Sequence, residues 1–178
     1  MPDEALLQRL NAAIALLDDT QRQRLCDWAG TMSRDVEGAR APGASIGPIA
    51  EMLHISRLPD GVGADGYGTT RYRLDVVPQL LNPHGVLHGG AVYTMIDYSM
   101  GAATMAALPA GEICATIEIK VSYLAGVRPG GARATATLTC ETAIVKLGRN
   151  VVFLESRVVD DSGALVATAS GSFAVIRT

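Results

Sequence analysis

Asp97 stands alone among charged residues in the stretch 91–108, AVYTMIDYSMGAATMAAL. A carboxylate in so apolar a setting is costly to bury, so it is paired, neutralised or kept for proton transfer. As a general base or a nucleophile it would act on an electrophilic carbon, and such a reaction needs donors held against the developing negative charge. Donors of that kind stand just upstream. Gly89 and Gly90 precede the apolar run, and a helix beginning there offers N–H groups free of side chains at the positive end of its dipole. Asn82, Pro83, His84, Gly85 and His88 fill the loop before them. The plain alternatives are that Asp97 is a buried acid capping a neighbouring backbone segment and that His88 is a loop histidine bonded to backbone.

The run 91–108 is bounded by Gly89-Gly90 before and Pro109 after, which predicts one long helix. Its internal Asp, many small residues and lack of basic flanks favour a buried core helix over a membrane span. Counting by threes and fours puts Thr94, Asp97, Gly101 and Thr104 on one stripe, with Val92, Met95, Ile96, Met100 and Ala103 opposite. One face is thus expected to pack and the other to keep room for something polar, with Gly90 and Thr94 as candidate substrate contacts. Downstream, residues 116–123 alternate Ile117, Ile119, Val121 and Tyr123 against Glu118, Lys120 and Ser122, the period of a half-buried strand. A second strand is expected at 132–141, a third at 150–159 and a fourth at 165–176, the last two joined by the turn signal Asp160-Asp161-Ser162-Gly163. An earlier strand at 67–77 completes the order strand, helix, four strands. That order predicts an α+β fold, an antiparallel sheet wrapped on one face by a single long helix. Gly171 would let the helix approach closely or would mark a bulge.

The first forty residues read as a helical hairpin. Leu6, Leu7, Leu10, Ile14 and Leu17 form one stripe, Asp18-Asp19 interrupts it, and Thr20-x-x-Gln23 has the form of a capping box opening a second helix with Leu25, Trp28, Ala29 and Met32. The expected organisation is residues 1–40 as that extension, 41–66 as linker and loop, and 67–178 as the main domain. A chain of 178 residues, 48% hydrophobic and with net charge −3, reads as a globular domain and not a nucleic-acid binder. The start Met1-Pro2-Asp3-Glu4 lacks a basic signal-peptide region, so a cytoplasmic location is expected, with no membrane partner. Cys26, Cys114 and Cys140 are too widely spaced for a disulfide framework or a CxxC site and are expected as small buried hydrophobes.

Three motif matches are declined. Residues 61–66 satisfy GxGxxG but follow Pro59-Asp60 and run into a strand, whereas a dinucleotide fold needs the strand first and a helix after. Residues 43–47 fit GxSxG without the core strand a nucleophile elbow requires. His84 and His88 have a metal-ligand spacing only if helical; Pro83 and Gly85 place His84 in a loop, no third ligand is apparent, and no metal is expected. His54 is expected to be structural or exposed.

Asn82-Pro83, His88-Gly89-Gly90 six residues after the Asn, and Asp97 nine after the His together resemble the hotdog-fold acyl-CoA thioesterases, in particular the phenylacetate-pathway type, PaaI-like. Residues 116–124, TIEIKVSYL, are similar to the family's strand after the helix, and 163–167, GALVA, to its terminal hairpin. The resemblance spans residues 67–176. It implies a hotdog fold and hydrolysis of a small aromatic or medium-chain acyl-CoA, with Asp97 as base or nucleophile, Gly89 and Asn82 polarising the carbonyl, His88 shaping the loop and Thr116 steering the water. It further implies Asp97 and Thr116 from one subunit with Asn82, His88 and Gly89 from its neighbour, hence a homodimer or a tetramer. Coenzyme A would be part of the substrate, with no separate cofactor, and Arg128, Lys146 and Arg149 stand near strand ends as phosphate contacts. Other readings are a non-catalytic acyl-CoA-binding module that regulates a partner, and a hotdog enoyl-CoA hydratase. The intact Asp97 argues against the first, and the lack of any histidine after His88 against the second.

Overall fold

The computed structural model describes residues 8, 12–24, 26, 46–62, 68–129 and 136–177. The chain forms two compact units, Met1–Arg40 and Ala41–Thr178. In the first, residues 12–15 and 19–24 are helical. The capping box sits two residues earlier than the sequence suggests. Asp18 and Gln21 exchange bonds, the Gln21 N–H donating to Asp18 Oδ1 (2.8 Å) and the Asp18 N–H to Gln21 Oε1 (3.0 Å). Asp is as good an N-cap as Thr, so the earlier pair opens the helix first. The stripe residues Leu6, Leu7, Leu10, Leu25, Trp28, Ala29 and Met32 lie outside the described residues.

The second unit runs α1 (Pro48–Met52), β1 (Ile55–Val62), β2 (Gly68–Asp75), a 3-10 turn (Pro78–Leu80), α2 (Gly89–Ala107), β3 (Glu112–Tyr123), β4 (Thr137–Leu147), β5 (Val151–Asp160) and β6 (Leu165–Arg177). The architecture is α+β, as expected. All strand pairings are antiparallel, in one six-stranded sheet of order β1-β2-β4-β5-β6-β3. The chain therefore leaves β2, crosses the sheet as α2 and re-enters at the opposite edge. Two strands precede the helix, not one, and β1 lies inside the segment expected as linker and loop. Pro59-Asp60-Gly61 reads as a breaker, but an edge strand tolerates proline, and the register with β2 shifts between Leu58 and Gly61 to accommodate it. Residues 63–66 of the glycine motif and 132–135 of the expected strand lie outside the described residues.

The core forms where α2 lies on the sheet. Met95, Ile96 and Met100 are fully buried against Leu74, Leu138, Val152, Leu154, Val158 and Phe173, each such side chain contributing about 1.5–3 kcal/mol by its removal from water. Gly171 is the point of closest approach. A Cβ there would lie 2.6 Å from Met100 Sδ, so the helix and not a bulge explains this glycine. Beneath Ser99 lies a small polar knot in the same core. Thr142 Oγ1 donates to Ser99 Oγ (2.7 Å) and meets Ser156 Oγ (2.6 Å), while Thr70 Oγ1 donates to the Ser99 carbonyl (2.8 Å). All four residues are buried, and their hydroxyls satisfy one another.

Thr104, expected on the polar stripe, is fully buried instead, its hydroxyl satisfied by the Met100 carbonyl (2.9 Å). The cysteines divide: Cys140 is buried and its thiol pushed up to about 11, chiefly by desolvation; Cys114 is half-buried and Cys26 exposed. No helix among the described residues is long and apolar enough to cross a membrane.

Candidate active site

Asp97 lies a little over two turns into α2, half-buried, and faces β3. Thr116 reaches it, donating its hydroxyl to Asp97 Oδ1 at 2.8 Å. A regular β3 would forbid this contact. Thr116 pairs with Phe173 and Glu118 with Ser172, so Ile117 is an extra residue, a bulge, and it is 56% exposed. The bulge reverses the alternation. Cys114 and Thr116 face the helix before it, Ile119 and Val121 after it, where an unbroken period of two would turn Thr116 to the side of Glu118 and Lys120. Cys114 donates its thiol to the Gly101 carbonyl (3.7 Å), and its thiol is held above its ordinary value by burial and then by the Asp97 charge.

The loop before the helix is built by its own polar groups. Asn82 Oδ1 accepts the N–H of His84 (2.9 Å) and of Val86 (3.2 Å), and its backbone N–H donates to the Val86 carbonyl (2.8 Å). This leaves the Asn82 amide NH2 as the group that can meet a substrate. His84 is exposed in that turn and not on a helix. His88 is the N-cap of α2, its Nδ1 accepting the Gly90 N–H (3.0 Å). The neutral imidazole therefore carries its proton on Nε2. The Ala91 N–H donates to the His88 carbonyl (3.0 Å). Of the first-turn donors, Gly89's is the one so left to face outward, since no residue a turn earlier belongs to the helix.

Thr94, expected as a substrate contact, donates its hydroxyl back to the Gly90 carbonyl (2.9 Å). Gly90's N–H, likewise expected to face substrate, is taken by His88. A cleft of about 350 Å³ opens beside Gly89, walled mainly by Val86, Leu87, Val92, Leu124, Val127 and Val166. Tyr123, which the sequence shows only as an apolar strand position, forms its rim, donating its hydroxyl to the Gly89 carbonyl at 2.8 Å. A tyrosine on an otherwise aliphatic strand face was the available signal, because a half-buried phenol seeks a partner.

The expected basic contacts separate. Arg128 is exposed next to the cleft wall at Val127. Lys146 and Arg149 are exposed at the β4–β5 turn, where Val151 pairs with Ala174, eight residues along β6 from the cleft residue Val166. That is about 26 Å at 3.3 Å per residue. Asp97 and Gly89 are also apart: eight residues of one helix separate them, about 12 Å of rise.

Residues 84–167 match the model of the thioesterase superfamily. A Halobacterium salinarum protein that carries the name "Putative esterase" is 35% identical over 121 residues, covering 62% of this chain and 76% of that protein. Another of that name from Saccharolobus solfataricus is 24% identical over 140 residues, 76% of this chain and 89% of its own. Among solved structures, a thioesterase of Haemophilus influenzae superposes with a TM-score of 0.65 at 21% identity, over 75% of this chain and 85% of that one. The E. coli PaaI protein from the phenylacetic acid degradation operon superposes with a TM-score of 0.58 at 20% identity, over 72% and 83%. At these identities the structural likenesses establish the fold.

Proposed function

Because the chain belongs to the thioesterase superfamily and is a thioester hydrolase of hotdog fold, we propose that it cleaves an acyl-CoA to a free acid and coenzyme A with Asp97 as general base. The observation that carries this reading is the 2.8 Å bond from Thr116 to Asp97. It fixes the carboxylate, and the Thr116 oxygen keeps lone pairs to accept a water hydrogen. In the proposed step Asp97 takes a proton from water and the water oxygen attacks the thioester carbon. The carbonyl oxygen gathers charge against the Gly89 N–H, assisted by the Asn82 NH2. The C–S bond then breaks, and the leaving thiolate takes the proton from Asp97.

Gly89 and Asp97 of one chain cannot both touch one carbonyl across about 12 Å, so the working site draws them from two copies in a homodimer, which a tetramer would repeat. β3 suits such pairing. It is a twelve-residue edge strand with Ile113 and Ile117 exposed, while the other edge, β1, is broken by a proline and a bulge. The aliphatic cleft beside Gly89 fits an aromatic or medium-chain acyl group, and Arg128 at its side fits a coenzyme A phosphate. Lys146 and Arg149 would join that contact only from another copy. A hydratase is disfavoured because His88 is the last histidine in the chain.

The test is turnover of a panel of acyl-CoA thioesters, followed with a thiol-detecting reagent, for wild type and Asp97→Asn. Asparagine keeps size and hydrogen bonding, so hydrolysis should fall by about two orders of magnitude or more with acyl-CoA binding retained. Turnover within a few-fold of wild type would sink the mechanism.

A further inference from the structure

Gly89 and Gly90 are adjacent, and a Gly-Gly peptide is the freest unit a chain can contain. In this molecule the peptide group between them is held at both ends. Its oxygen, the Gly89 carbonyl, accepts the Tyr123 hydroxyl at 2.8 Å, and its N–H, that of Gly90, donates to His88 Nδ1 at 3.0 Å. Each glycine also leaves room for the close approach of the residue that grips it. A Cβ on Gly89 would lie 3.1 Å from Tyr123 Cζ and 3.2 Å from its oxygen; one on Gly90 would lie 3.1 Å from His88 Nδ1. The absence of side chains admits the two rings, and the rings remove the freedom that absence creates.

We propose that Tyr123 and His88 are positioning residues that clamp the Gly89–Gly90 peptide and thereby aim the Gly89 N–H at the thioester oxygen. This rests on the reading of Gly89 as oxyanion donor. Fixing the 89–90 peptide fixes ψ of Gly89, and the preceding peptide, which carries the Gly89 N–H, is held at its own oxygen by the Ala91 N–H (3.0 Å), so the two together set the direction of that donor. A donor aimed before the reaction needs no reorganisation when charge develops. The two grips also reinforce each other, because a donor on a peptide oxygen polarises the N–H of the same unit. Tyr123 is suited to the task. Burial, and then the neighbouring Tyr93, hold its phenol above the usual value, so it stays a donor. It ends β3, so the strand that brings Thr116 to Asp97 also brings the grip to the helix start.

The clamp acts on the transition state, so its loss should appear in kcat and not in KM. Tyr123→Phe keeps the ring and deletes one hydrogen bond; kcat should fall about tenfold with KM within about twofold of wild type. His88→Ala removes the other grip and should give the same signature. Because both act through one peptide, the double variant should lose less than the product of the two single losses. In protein carrying isotope-labelled glycine, the Gly90 amide should exchange with solvent faster in either single variant while the core amides do not change. Multiplicative losses in the double variant, or a folded Tyr123→Phe protein with wild-type kcat and unaltered Gly90 exchange, would overturn the clamp. A wild-type protein inert toward every thioester of the panel would instead reject the functional reading, and the clamp would then stand or fall on the Gly90 amide alone.

Discussion

At Asp97 a single hydrogen bond decides what the carboxylate can do. With Oδ1 engaged by Thr116, a water held between Oδ2 and the Thr116 oxygen would have two contacts to orient it. Thr116→Val keeps the shape and deletes the hydroxyl, so under the proposed mechanism kcat should fall roughly tenfold, with Thr116→Ser restoring most of it. Both residues are partly exposed, so the melting temperature should move little. Steady-state kinetics beside a thermal melt would separate these outcomes, and a Thr116→Val enzyme of normal kcat would remove Thr116 from the reaction. The acid, the two glycines and the loop were legible in the sequence because they lie close together and their types are unusual for their setting. The grip of Tyr123 was not, because it joins positions 34 residues apart that only the folded strand end brings together.

Elements were legible where the side-chain period held. In β4 the alternation of Leu138 and Cys140 with Thr137, Thr139 and Glu141 matches the buried face observed. It misled where backbone geometry overrode the period. In β3 a one-residue bulge turns Thr116 toward the helix, and in β1 a proline that argues against a central strand sits harmlessly on an edge. Gly171 shows how tightly the elements then fit, since it pairs with Ile119 two residues past the bulge and lies under Met100. Gly171→Ala would put a methyl 2.6 Å from Met100 Sδ and 3.1 Å from the Glu118 carbonyl. It should destabilise the unit by about 1–3 kcal/mol through overpacking, lowering the melting temperature by about 2–10 °C. Adding Met100→Ala should cost less than the sum of the two single effects, because the space one removes the other needs. A Gly171→Ala protein that melts with wild type would mean that α2 is free to lift, and that its seat on the sheet does not fix the position of Asp97.

At the scale of the whole molecule, the helix that carries Asp97 also begins at Gly89, and this geometry separates the proposed base from its oxyanion donor. Under the proposed mechanism, the spacing that makes the sequence recognisable is also the spacing that would keep one chain from working alone, a consequence that periodicity in a single chain cannot display. It makes a sharp prediction for mixed subunits. Gly89→Pro deletes the donor at the first position of α2, where helix geometry tolerates proline and the Tyr123 ring must give by a few tenths of an ångström, and Asp97→Asn deletes the base. Each variant alone should be nearly inactive. In a hybrid dimer one site receives two defects and the other receives the intact Gly89 of one chain and the intact Asp97 of the other. Random co-assembly in equal amounts makes half the dimers hybrid, so activity should return to about a quarter of the wild-type level per dimer. If each site were built within one chain, every site in every hybrid would keep a defect. Activity in purified hybrids no greater than the mean of the two parents would therefore reject the shared site, whereas recovery to about half of the wild-type level per dimer in those hybrids would place the two residues on opposite sides of one substrate carbonyl.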